Sequence, residues 1–507
     1  MENFCHVSNT NYRYPKNPPK LHYERANQMS LPPTRYDFFQ YYNFLNDGPL
    51  RKDMSKKVII LGAGISGTVT AKLLQQMGQR VKIFEASNRV GGRIHTYRDP
   101  SGWKGELGAL QIPVTHIFAL SIMSNFSIKV SSFRRIVNNN LIALNGRIKR
   151  YKAALREKNP FSYVFDKPET NSTIAENMQI FQEQIMDDIE SRTWMDALEY
   201  FDKFSLEDYC RKKCKFSNEL TKNILYLSYF YEMRSISMYE FVLMMFTYGA
   251  APAKLVNSGL DNLPKSVASS LKNNTIQFNS TVVKVSTKKD YACVYYKING
   301  QSKLEKECSD YVVVATSLGA LRVLKFQPKL TSLKREAIDK MHFETGTRVV
   351  EIFSKPFWES FGVKEGDIIT DWDTGPMNVP GKYSGRNVFY GALGEGDKAR
   401  ELANMSDSQI IEGHITQLSN MFKMDVKSLY KNAVVKKWSK DPFSRGGFSM
   451  CLPGQCTNHF RKSFQETHGR IHFAGEQTSD FHGWIEGAIE SAIRVSIEIS
   501  KDLDEKN

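Results

Sequence analysis

The stretch from Lys57 to Arg93 constrains the fold of this chain more than any other part of the sequence. A short apolar run, Val58 to Leu61, enters the turn Gly62-Ala-Gly-Ile-Ser-Gly67. A helical pattern follows, and a second apolar run, Val81 to Phe84, ends on Glu85. This alternation predicts a strand, a tight turn, a helix and a second strand parallel to the first.

Each part of that unit suits a dinucleotide. Gly62 permits the tight turn, Gly64 lets the backbone approach a pyrophosphate, and Gly67 lets the helix pack on the strand. The helix start, which includes Ser66, offers unpaired N–H groups to phosphates, and Glu85 is placed to accept hydrogen bonds from ribose hydroxyls. A glycine-rich turn alone is weak evidence, but the complete unit predicts a Rossmann-like α/β domain.

Composition excludes several classes of protein. With 507 residues, 41% of them hydrophobic, the chain is expected to form more than one domain around ordinary cores. The densest patches behind the net charge of +15, such as Gly146–Lys152 and Arg211–Lys215, are short and separated, and no stretch interleaves aromatic and basic residues as a nucleic-acid platform does. We therefore expect a solvated basic surface and no nucleic-acid partner.

Cysteine usage and termini predict a reduced cytoplasmic protein. No basic, then apolar, leader is visible, and no apolar run reaches about 18 residues, so neither a secretory signal nor a membrane span is expected. Cys210 and Cys214 lie one helical turn apart, but no further ligand completes a zinc site, so we predict inert thiols and no metal. The odd cysteine count favours reduced thiols at Cys5, Cys210, Cys214, Cys293, Cys308, Cys451 and Cys456.

The sequence predicts a discontinuous cofactor domain with two insertions. Prolines make residues 1–53 an extended arm, which ends in a short helix from Tyr36 to Leu45. Ser237-Met-Tyr-Glu240 resembles a capping box before an apolar helix. Strands are predicted at Thr275–Phe278, Thr281–Val285, Ala292–Tyr296, Tyr311–Ala315, Val349–Phe353, Val388–Leu393 and Arg470–Glu476. The predicted regions are 54–115, 250–345 and 441–507 for the cofactor domain, 116–249 for a helical subdomain and 346–440 for a mixed-sheet substrate domain.

Three motifs together give the chain its resemblance to the flavin-containing amine oxidases, a family that includes monoamine, polyamine and L-amino-acid oxidases. They occur in the family's order: the dinucleotide unit, then Arg89-Val-Gly-Gly-Arg93 with Glu106-Leu-Gly-Ala109, and finally Phe473–Thr478 with His482–Ala488. The resemblance implies FAD as the cofactor. It assigns FAD contacts to Gly62, Gly64, Ser66, Gly67, Glu85, Ala86, Gly91, Gly92, Arg93, Gly108, Ala109, Val283, Trp438, Gly475, Glu476, Gly483, Trp484 and Ile485.

Several of these positions also have a physical rationale. Gly91 and Gly92 can bring backbone close to phosphate, and Arg93 supplies a fixed cation beside it. Trp438 resembles the family's tryptophan near the flavin ring, with an ordinary core aromatic as the alternative. The family's covalent attachment uses a cysteine where this chain has Gly446-Gly-Phe-Ser449, so we expect noncovalent FAD.

The substrate end departs from the family. L-amino-acid oxidases hold the substrate carboxylate with an arginine at the position that matches Gln111. The glutamine amide lacks the positive charge of a guanidinium and its two parallel N–H donors. The family's partner tyrosine has no clear counterpart near Met377–Pro380. The motif that contains Trp484 resembles that of the amino-acid oxidases, and Trp484 is expected to form one wall of a flat substrate slot.

Arg348 is the second departure. Ten residues before Trp358, most family members have a lysine that reaches flavin N5 through water, and here the residue is Arg348. A guanidinium stays charged and does not relay protons as a lysine can. It either receives a substrate anion that Gln111 no longer binds or only preserves the positive charge near N5.

The resemblance therefore predicts a flavoenzyme with Arg348, Trp484 and Gln111 at its substrate site. It would oxidise the C–N bond of an L-amino acid or related small amine to an imine, with dioxygen as the electron acceptor and hydrogen peroxide as the product. The alternatives are oxidative decarboxylation, monooxygenation or desaturation of an amino-acid-derived substrate, and a scaffold with a vestigial flavin. A homodimer is a further expectation.

Overall fold

The computed structural model describes residues 38–48, 55–133, 140–165, 169–247, 252–379, 381, 383–385 and 387–504. Most of the predicted arm, including the predicted helix start at Tyr36, lies outside these residues, and the described helix spans Phe38–Asn46. The strands in chain order are β1 (Lys57–Leu61), β2 (Arg80–Phe84), β3 (Thr96–Arg98), β4 (Lys104–Glu106), β5 (Ile112–Pro113), β6 (Val130–Phe133), β7 (Leu141–Leu144), β8 (Arg147–Arg150), β9 (Ala253–Val256), β10 (Ile276–Gln277), β11 (Ser280–Thr287), β12 (Ala292–Ile298), β13 (Glu305–Ser309), β14 (Tyr311–Val314), β15 (Lys325–Gln327), β16 (His342–Glu344), β17 (Gly346–Phe353), β18 (Gly366–Thr370), β19 (Met377–Val379), β20 (Val388–Glu395), β21 (Tyr430–Lys437), β22 (Phe448–Met450) and β23 (Ile471–Phe473).

The helices surround these strands. In chain order they are α1 (Phe38–Asn46), α2 (Ile65–Gln76), α3 (Ile117–Asn125), α4 (Tyr151–Arg156), α5 (Ile174–Glu190), α6 (Trp194–Phe201), α7 (Leu206–Lys212), α8 (Asn218–Leu227), α9 (Met238–Thr247), α10 (Asn262–Ser269), α11 (Leu318–Val323), α12 (Ser332–Lys340), α13 (Gly396–Asn404), α14 (Asp407–Phe422), α15 (Phe460–Gln465) and α16 (Ile485–Asp504). Short 3₁₀ turns occur at Glu169–Asn171, Tyr231–Met233, Phe357–Phe361, Lys427–Leu429, Trp438–Lys440 and Glu476–Thr478.

A five-stranded parallel sheet, in the order β10-β2-β1-β14-β23, forms the cofactor half of the molecule. Its strands come from distant parts of the chain, and the prediction of a buried parallel strand at Tyr311 is confirmed. The central strands are apolar on both faces because α2 and α16 cover one face and strands β11 and β12 cover the other. Leu61 pairs with Phe84 and Val314, and Val314 pairs with Phe473, so the carboxyl ends of these strands share one edge.

A seven-stranded mixed sheet, in the order β21-β17-β20-β19-β18-β7-β8, forms the second half. The predicted strands beginning at Val349 and Val388 are confirmed as parts of β17 and β20. The hairpin of β7 and β8 belongs to this sheet although it lies within residues 116–249, which were expected to be helical. Its apolar strand Leu141–Leu144 is short and fully buried, a pattern that does not distinguish strand from helix.

The prediction of reduced cysteines is wrong for four of them. Cys293 and Cys308 face each other across β12 and β13 and form a disulfide, and Cys451 is bonded to Cys456. Cysteine count gives no information on pairing in three dimensions, and this is why the sequence missed both bonds. Cys210 and Cys214 are free, and burial raises the pKa of Cys214 to about 12, as expected for inert thiols.

No helix among the described residues combines the length and apolar character that crossing a membrane requires.

Candidate active site

The turn after β1 has the geometry that its glycines predict. Gly62 has a φ of +100°, and a Cβ there would lie 2.8 Å from the carbonyl oxygen of Ala315. A Cβ on Gly67 would lie 2.0 Å from the carbonyl oxygen of Gly62, so only glycine lets α2 pack this closely on the turn. Contacts within the protein therefore require glycine at both positions.

Gly64 serves a different purpose. It has ordinary backbone angles, φ −69° and ψ 177°, and among the described residues no heavy atom beyond its chain neighbours lies within 4 Å of an ideal Cβ. Gly91 pairs with Gly64 in an isolated bridge, and a Cβ on Gly92 would lie 3.6 Å from the Cα of Gly64. Open space beside two glycine turns at a helix start fits a pyrophosphate.

Glu85 ends β2 beside this turn. Its carboxylate accepts from the backbone N–H of Ala63 at 2.7 Å and from the N–H and hydroxyl of Ser87 at 2.9 and 2.7 Å. Ala86 follows, and its carbonyl accepts from Asn299. The pairing of β11 with β12 skips Val283 in a bulge, so its backbone groups lie outside that ladder. The backbone N–H of Ser280, at the start of β11, donates to the carbonyl of Glu85, so this strand begins beside the glycine turn.

Glu476 lies at the other end of the glycine turns and is 3% exposed. It accepts from Arg93 Nη1 at 2.7 Å, from the backbone N–H of Ser449 at 3.2 Å and from that of Gly483 at 2.9 Å. Arg93 also donates to the carbonyl of Gly447. Glu476 therefore joins three of the predicted cofactor segments and balances the charge of Arg93.

Ser491 joins two more of these segments. Its hydroxyl accepts from the backbone N–H of Gly475 at 2.8 Å and lies 3.2 Å from the hydroxyl of Ser66. Ile485 is buried against the outer face of α2. The last strand and the first helix of the cofactor domain are thus tied together by a serine that the motifs did not single out.

Trp438 lies in the wall between the two halves of the molecule. It is 4% exposed, and its indole N–H donates to the carbonyl of Leu107 at 2.7 Å. A Cβ on Gly108 would lie 1.9 Å from the carbonyl oxygen of Arg93 and 3.0 Å from the indole ring, so Gly108 allows this contact. Ala109 follows, with its N–H 3.3 Å from the same carbonyl.

Trp484 begins the turn into α16 and is partly exposed. Its ring meets the ring of His116 edge-on, with centroids 4.9 Å apart. His116 is 1% exposed, both of its ring nitrogens have no hydrogen-bond partner among the described residues, and burial lowers its pKa to about 3. A neutral imidazole therefore supports the predicted aromatic wall from behind. Gly483 has a φ of +75°, which favours glycine at this turn.

Glu486 fixes the relative position of α3 and α16. Its carboxylate accepts from the backbone N–H groups of Phe118 and Ala119, both at 2.9 Å, and so caps the start of α3. Burial raises its pKa to about 7 despite these hydrogen bonds. The contact places His116, just before α3, against Trp484.

Glu240 and His482 form a buried pair beside the same turn. Glu240 Oε1 lies 2.6 Å from His482 Nδ1 and accepts from the backbone N–H of Cys451 at 2.8 Å. Burial would lower the pKa of His482, but the Glu240 carboxylate outweighs it, so the pKa lies above its ordinary value. The predicted capping box is therefore wrong, because the N–H of Ser237 donates to the carbonyl of Cys451 and not to Glu240.

Arg348 lies on β17, on the face that also carries Gly346 and Val350. A Cβ on Gly346 would lie 3.6 Å from the ring of Trp438, and Val350 packs on Gly105, so this face is turned towards the cofactor half. Arg348 Nη2 donates to Glu395 Oε1 at 2.9 Å. Its charge therefore has a partner within the protein.

Gln111 is 7% exposed and precedes β5, three residues after Gly108. Its segment therefore runs from the wall beside Trp438 to His116 behind Trp484. Val350, on the same strand face as Arg348, packs on Gly105, and Trp484 meets His116, so both regions border the segment that carries Gln111.

Comparison with known proteins assigns the family. The model of the flavin containing amine oxidoreductases matches residues 65–500. The chain belongs to this family. It is 30% identical over 476 residues to an L-amino-acid oxidase of Siganus canaliculatus, covering 92% of this chain and 89% of that protein. It is 26% identical to an L-amino-acid oxidase of Sistrurus catenatus edwardsii, covering 92% and 91% of the two chains.

Solved structures of the family share the fold. Cyclohexylamine oxidase from Brevibacterium oxydans IH-35A superimposes with a TM-score of 0.71 at 16% identity, covering 89% of this chain and 99% of that chain. A double mutant of putrescine oxidase gives 0.68 at 17% identity, covering 88% and 99%. This amine oxidoreductase is therefore a flavin enzyme with the family's α/β architecture.

Sequence reasoning missed four residues that shape the site. Glu486 stood inside a recognised motif without a role, and Glu240 was assigned to a helix cap. His116 and Ser491 gave no sequence signal, since a single histidine or serine near a helix start is common. Each acts through a contact between segments that lie far apart in the chain.

Proposed function

We propose that this amine oxidoreductase binds FAD without a covalent bond and oxidises the C–N bond of an L-amino acid or a related amine. The observation that carries the proposal is the open space at Gly64, bordered by the Gly91-Gly92 turn and the start of α2. This shape fits the pyrophosphate of an extended dinucleotide. The curated relatives described above support the choice of substrate class.

Two observations support noncovalent binding. The segment that matches the family's attachment site, Gly446–Ser449, contains no thiol. The nearest cysteine along the chain, Cys451, has its sulfur bonded to Cys456. Acid precipitation of the purified protein should release FAD into the supernatant, and flavin that stays with the pellet would contradict noncovalent binding.

FAD held by Gly64 and the Gly91-Gly92 turn would supply two-electron chemistry, by which the amine loses a hydride equivalent and a proton to become an imine and dioxygen becomes hydrogen peroxide. The protein's part is to position the substrate. Trp484 supplies a flat wall, His116 supports it, and Glu486 holds both in register. A wall supported in this way limits misplacement of the reacting carbon, and such misplacement is costly for the rate.

The substrate end distinguishes this chain from an oxidase with a charged carboxylate clamp. Gln111 offers an amide where a clamp would have a guanidinium, and Arg348 is already paired with Glu395. We therefore include amines related to amino acids among the substrates. The oxidation of either class requires the same wall and the same cofactor edge.

Anaerobic bleaching of the flavin tests the proposal. The loaded enzyme is mixed with L-amino acids, amino-acid amides and simple amines, and the absorbance of the oxidised flavin is followed. Bleaching by at least one class, with about one peroxide released per substrate after air is admitted, supports the proposal. Bleaching without peroxide favours a desaturase or monooxygenase, and the absence of bleaching by all three classes contradicts the function.

The homodimer and the cytoplasmic location stay predictions. The two disulfides remove the cysteine argument for the cytoplasm, because disulfides persist mainly in oxidising compartments. Sedimentation of the loaded enzyme tests the first prediction, and localisation of a tagged chain tests the second.

A further inference from the structure

Four side chains of metal-ligand type meet between α9, the loop after β22 and the turn before α16. They are Glu240, Cys451, Cys456 and His482. Ligand atoms of Glu240, Cys451 and His482 all lie within 4.8 Å of one another, and Cys456 Sγ lies 3.6 Å from Glu240 Oε1. Glu240, Cys451 and Cys456 are 2%, 1% and 5% exposed, and the side chain of His482 is 10% exposed.

All four side chains carry donor atoms that zinc binds in proteins, although the two sulfurs are joined. Zinc in proteins takes four ligands in a tetrahedron, drawn from thiolate sulfur, imidazole nitrogen and carboxylate oxygen. With Zn–S bonds of about 2.3 Å, the two sulfurs of such a tetrahedron lie about 3.8 Å apart. Breaking the Cys451–Cys456 bond would let the sulfurs separate towards that spacing without a change of ligand residues.

We propose that reduction of the Cys451–Cys456 disulfide converts this cluster into a buried tetrahedral zinc site with Glu240 and His482 as the other two ligands. A dithiol or phosphine reductant supplies two electrons, the S–S bond breaks and two S–H bonds form. Zn²⁺ then displaces both thiol protons. It also takes the place of the proton shared by Glu240 Oε1 and His482 Nδ1, which become ligands.

The charges and surroundings suit this metal. Two thiolates and one carboxylate outweigh the charge of Zn²⁺ by one, and each would be costly to bury without a cation. The backbone N–H of Cys451 already donates to Glu240, an outer hydrogen bond of the kind that orients a ligand. In a compartment that keeps thiols reduced, the zinc form would be the resident one.

The site would affect the substrate wall. His482 immediately precedes Gly483 and Trp484, so a metal on His482 fixes the start of that turn. In the oxidised form, Glu240 Oε1 holds the same histidine at 2.6 Å. Metal binding and substrate positioning are therefore linked through one turn of backbone.

Metal binding by the flavin-loaded full-length protein tests the proposal. The protein is incubated with or without a phosphine reductant under anaerobic conditions, exposed to Zn²⁺ or Co²⁺, and freed of unbound metal. We expect about one zinc per chain in the reduced protein and none in the oxidised protein. Cobalt in the reduced protein should show the visible bands of a tetrahedral thiolate complex, at longer wavelengths than the flavin absorbs.

The other disulfide provides the matched control. Cys293 and Cys308 are also adjacent, but the described residues place them in no comparable group of ligands. C293S/C308S should bind zinc like the wild type after reduction, whereas C451S/C456S and Glu240→Gln should lose at least about 100-fold in affinity. This loss exceeds the roughly 10- to 100-fold effect of removing an outer partner.

Flavin absorbance shows whether each variant has folded, and thiol alkylation gives a second readout. Zinc should protect Cys451 and Cys456 from alkylation in the reduced wild type. The proposal is overturned by equal metal binding in the oxidised protein, by retention of zinc in C451S/C456S, or by a reduced wild type that binds none and gains no protection.

Discussion

The two ends of the candidate site are built in different ways. The cofactor end consists of backbone turns, in which Gly62, Gly67 and Gly108 are needed because any Cβ would collide with a carbonyl oxygen of the protein. The substrate end consists of side chains, in which Trp484 and Arg348 are each held by a buried or charged partner from another segment. The backbone turns depend on adjacent residues in the sequence. The positions of the side chains at the substrate end depend on partners from distant segments.

The difference predicts how each end responds to mutation. At the cofactor end, a substitution either breaks the turn or fills the space meant for the ligand. At the substrate end, it leaves the fold intact and changes the rate of one reaction step. Four experiments test this difference between the two ends of the site.

Gly64→Val should have the largest effect and abolish flavin retention. The backbone angles at Gly64 suit any residue and the space beside it is open, so the variant should fold. Its side chain would occupy the space of the pyrophosphate, and we expect a loss of at least about 100-fold in affinity, or about 2.7 kcal/mol. Flavin stoichiometry and circular dichroism measure the two effects.

Gly67→Ala is the matched control for that experiment. Its Cβ would lie 2.0 Å from the carbonyl oxygen of Gly62, so it should lower the unfolding free energy itself. A Gly64→Val protein that keeps stoichiometric flavin would show that the open space is not the phosphate site.

Trp484→Ala should slow turnover on the order of 100-fold in kcat/KM while the flavin stays bound. Removing the wall lets the reacting carbon shift, and misplacement by about 1 Å can cost this much. The ring is partly exposed, so the melting temperature should change little. Unchanged turnover in a flavin-loaded variant would remove Trp484 from the substrate site.

Arg348→Met should slow one half-reaction by about 10- to 150-fold, the worth of a charge-assisted hydrogen bond in a closed site. We expect the step with dioxygen to slow, because Glu395 already pairs with the guanidinium that a substrate anion would need. Stopped-flow absorbance measures both half-reactions separately. Loss of reduction by carboxylate-bearing substrates alone would instead identify Arg348 as the anion receptor.

Glu395→Gln is the control for Arg348. It keeps the guanidinium and removes its partner, so the step with dioxygen should stay within about threefold of the wild type under the charge hypothesis. If neither half-reaction changes in either variant, Arg348 does not act near the reacting atoms.

Glu486→Gln should have the smallest effect on activity, with a pH-dependent change in stability of roughly 2–3 kcal/mol between about pH 5 and about pH 8. Burial raises the pKa of Glu486 from 4.5 to about 7 in the folded protein, so the folded state binds more protons between these values. The stability of the wild type relative to the variant is therefore highest below about pH 4.5 and is lost as pH rises through about 7. Urea unfolding at about pH 5 and about pH 8 measures the difference, and a pH-independent difference would contradict the assignment.

Particular residues show how far sequence reasoning reached. The turn geometry of Gly62 and Gly67, the parallel strand at Tyr311 and the family itself were predicted and are confirmed. The capping role of Glu240 and the reduced state of Cys451 were predicted and are wrong. Both errors lie in the same cluster, where α9 meets a loop more than 200 residues further along the chain.

Turns and strands that depend on a few adjacent residues could be predicted from the sequence alone. A tight turn needs glycine where a Cβ would strike the next carbonyl, and a buried strand needs an unbroken apolar run, so both can be read from a few adjacent residues. Which charges are paired, and which side chains are held in place by neighbours, depends on the tertiary structure. The partners of Arg348, Glu486 and His482 come from other segments. The burial that raises the pKa of Glu486, and the Glu240 carboxylate that raises the pKa of His482, act only after those segments pack together.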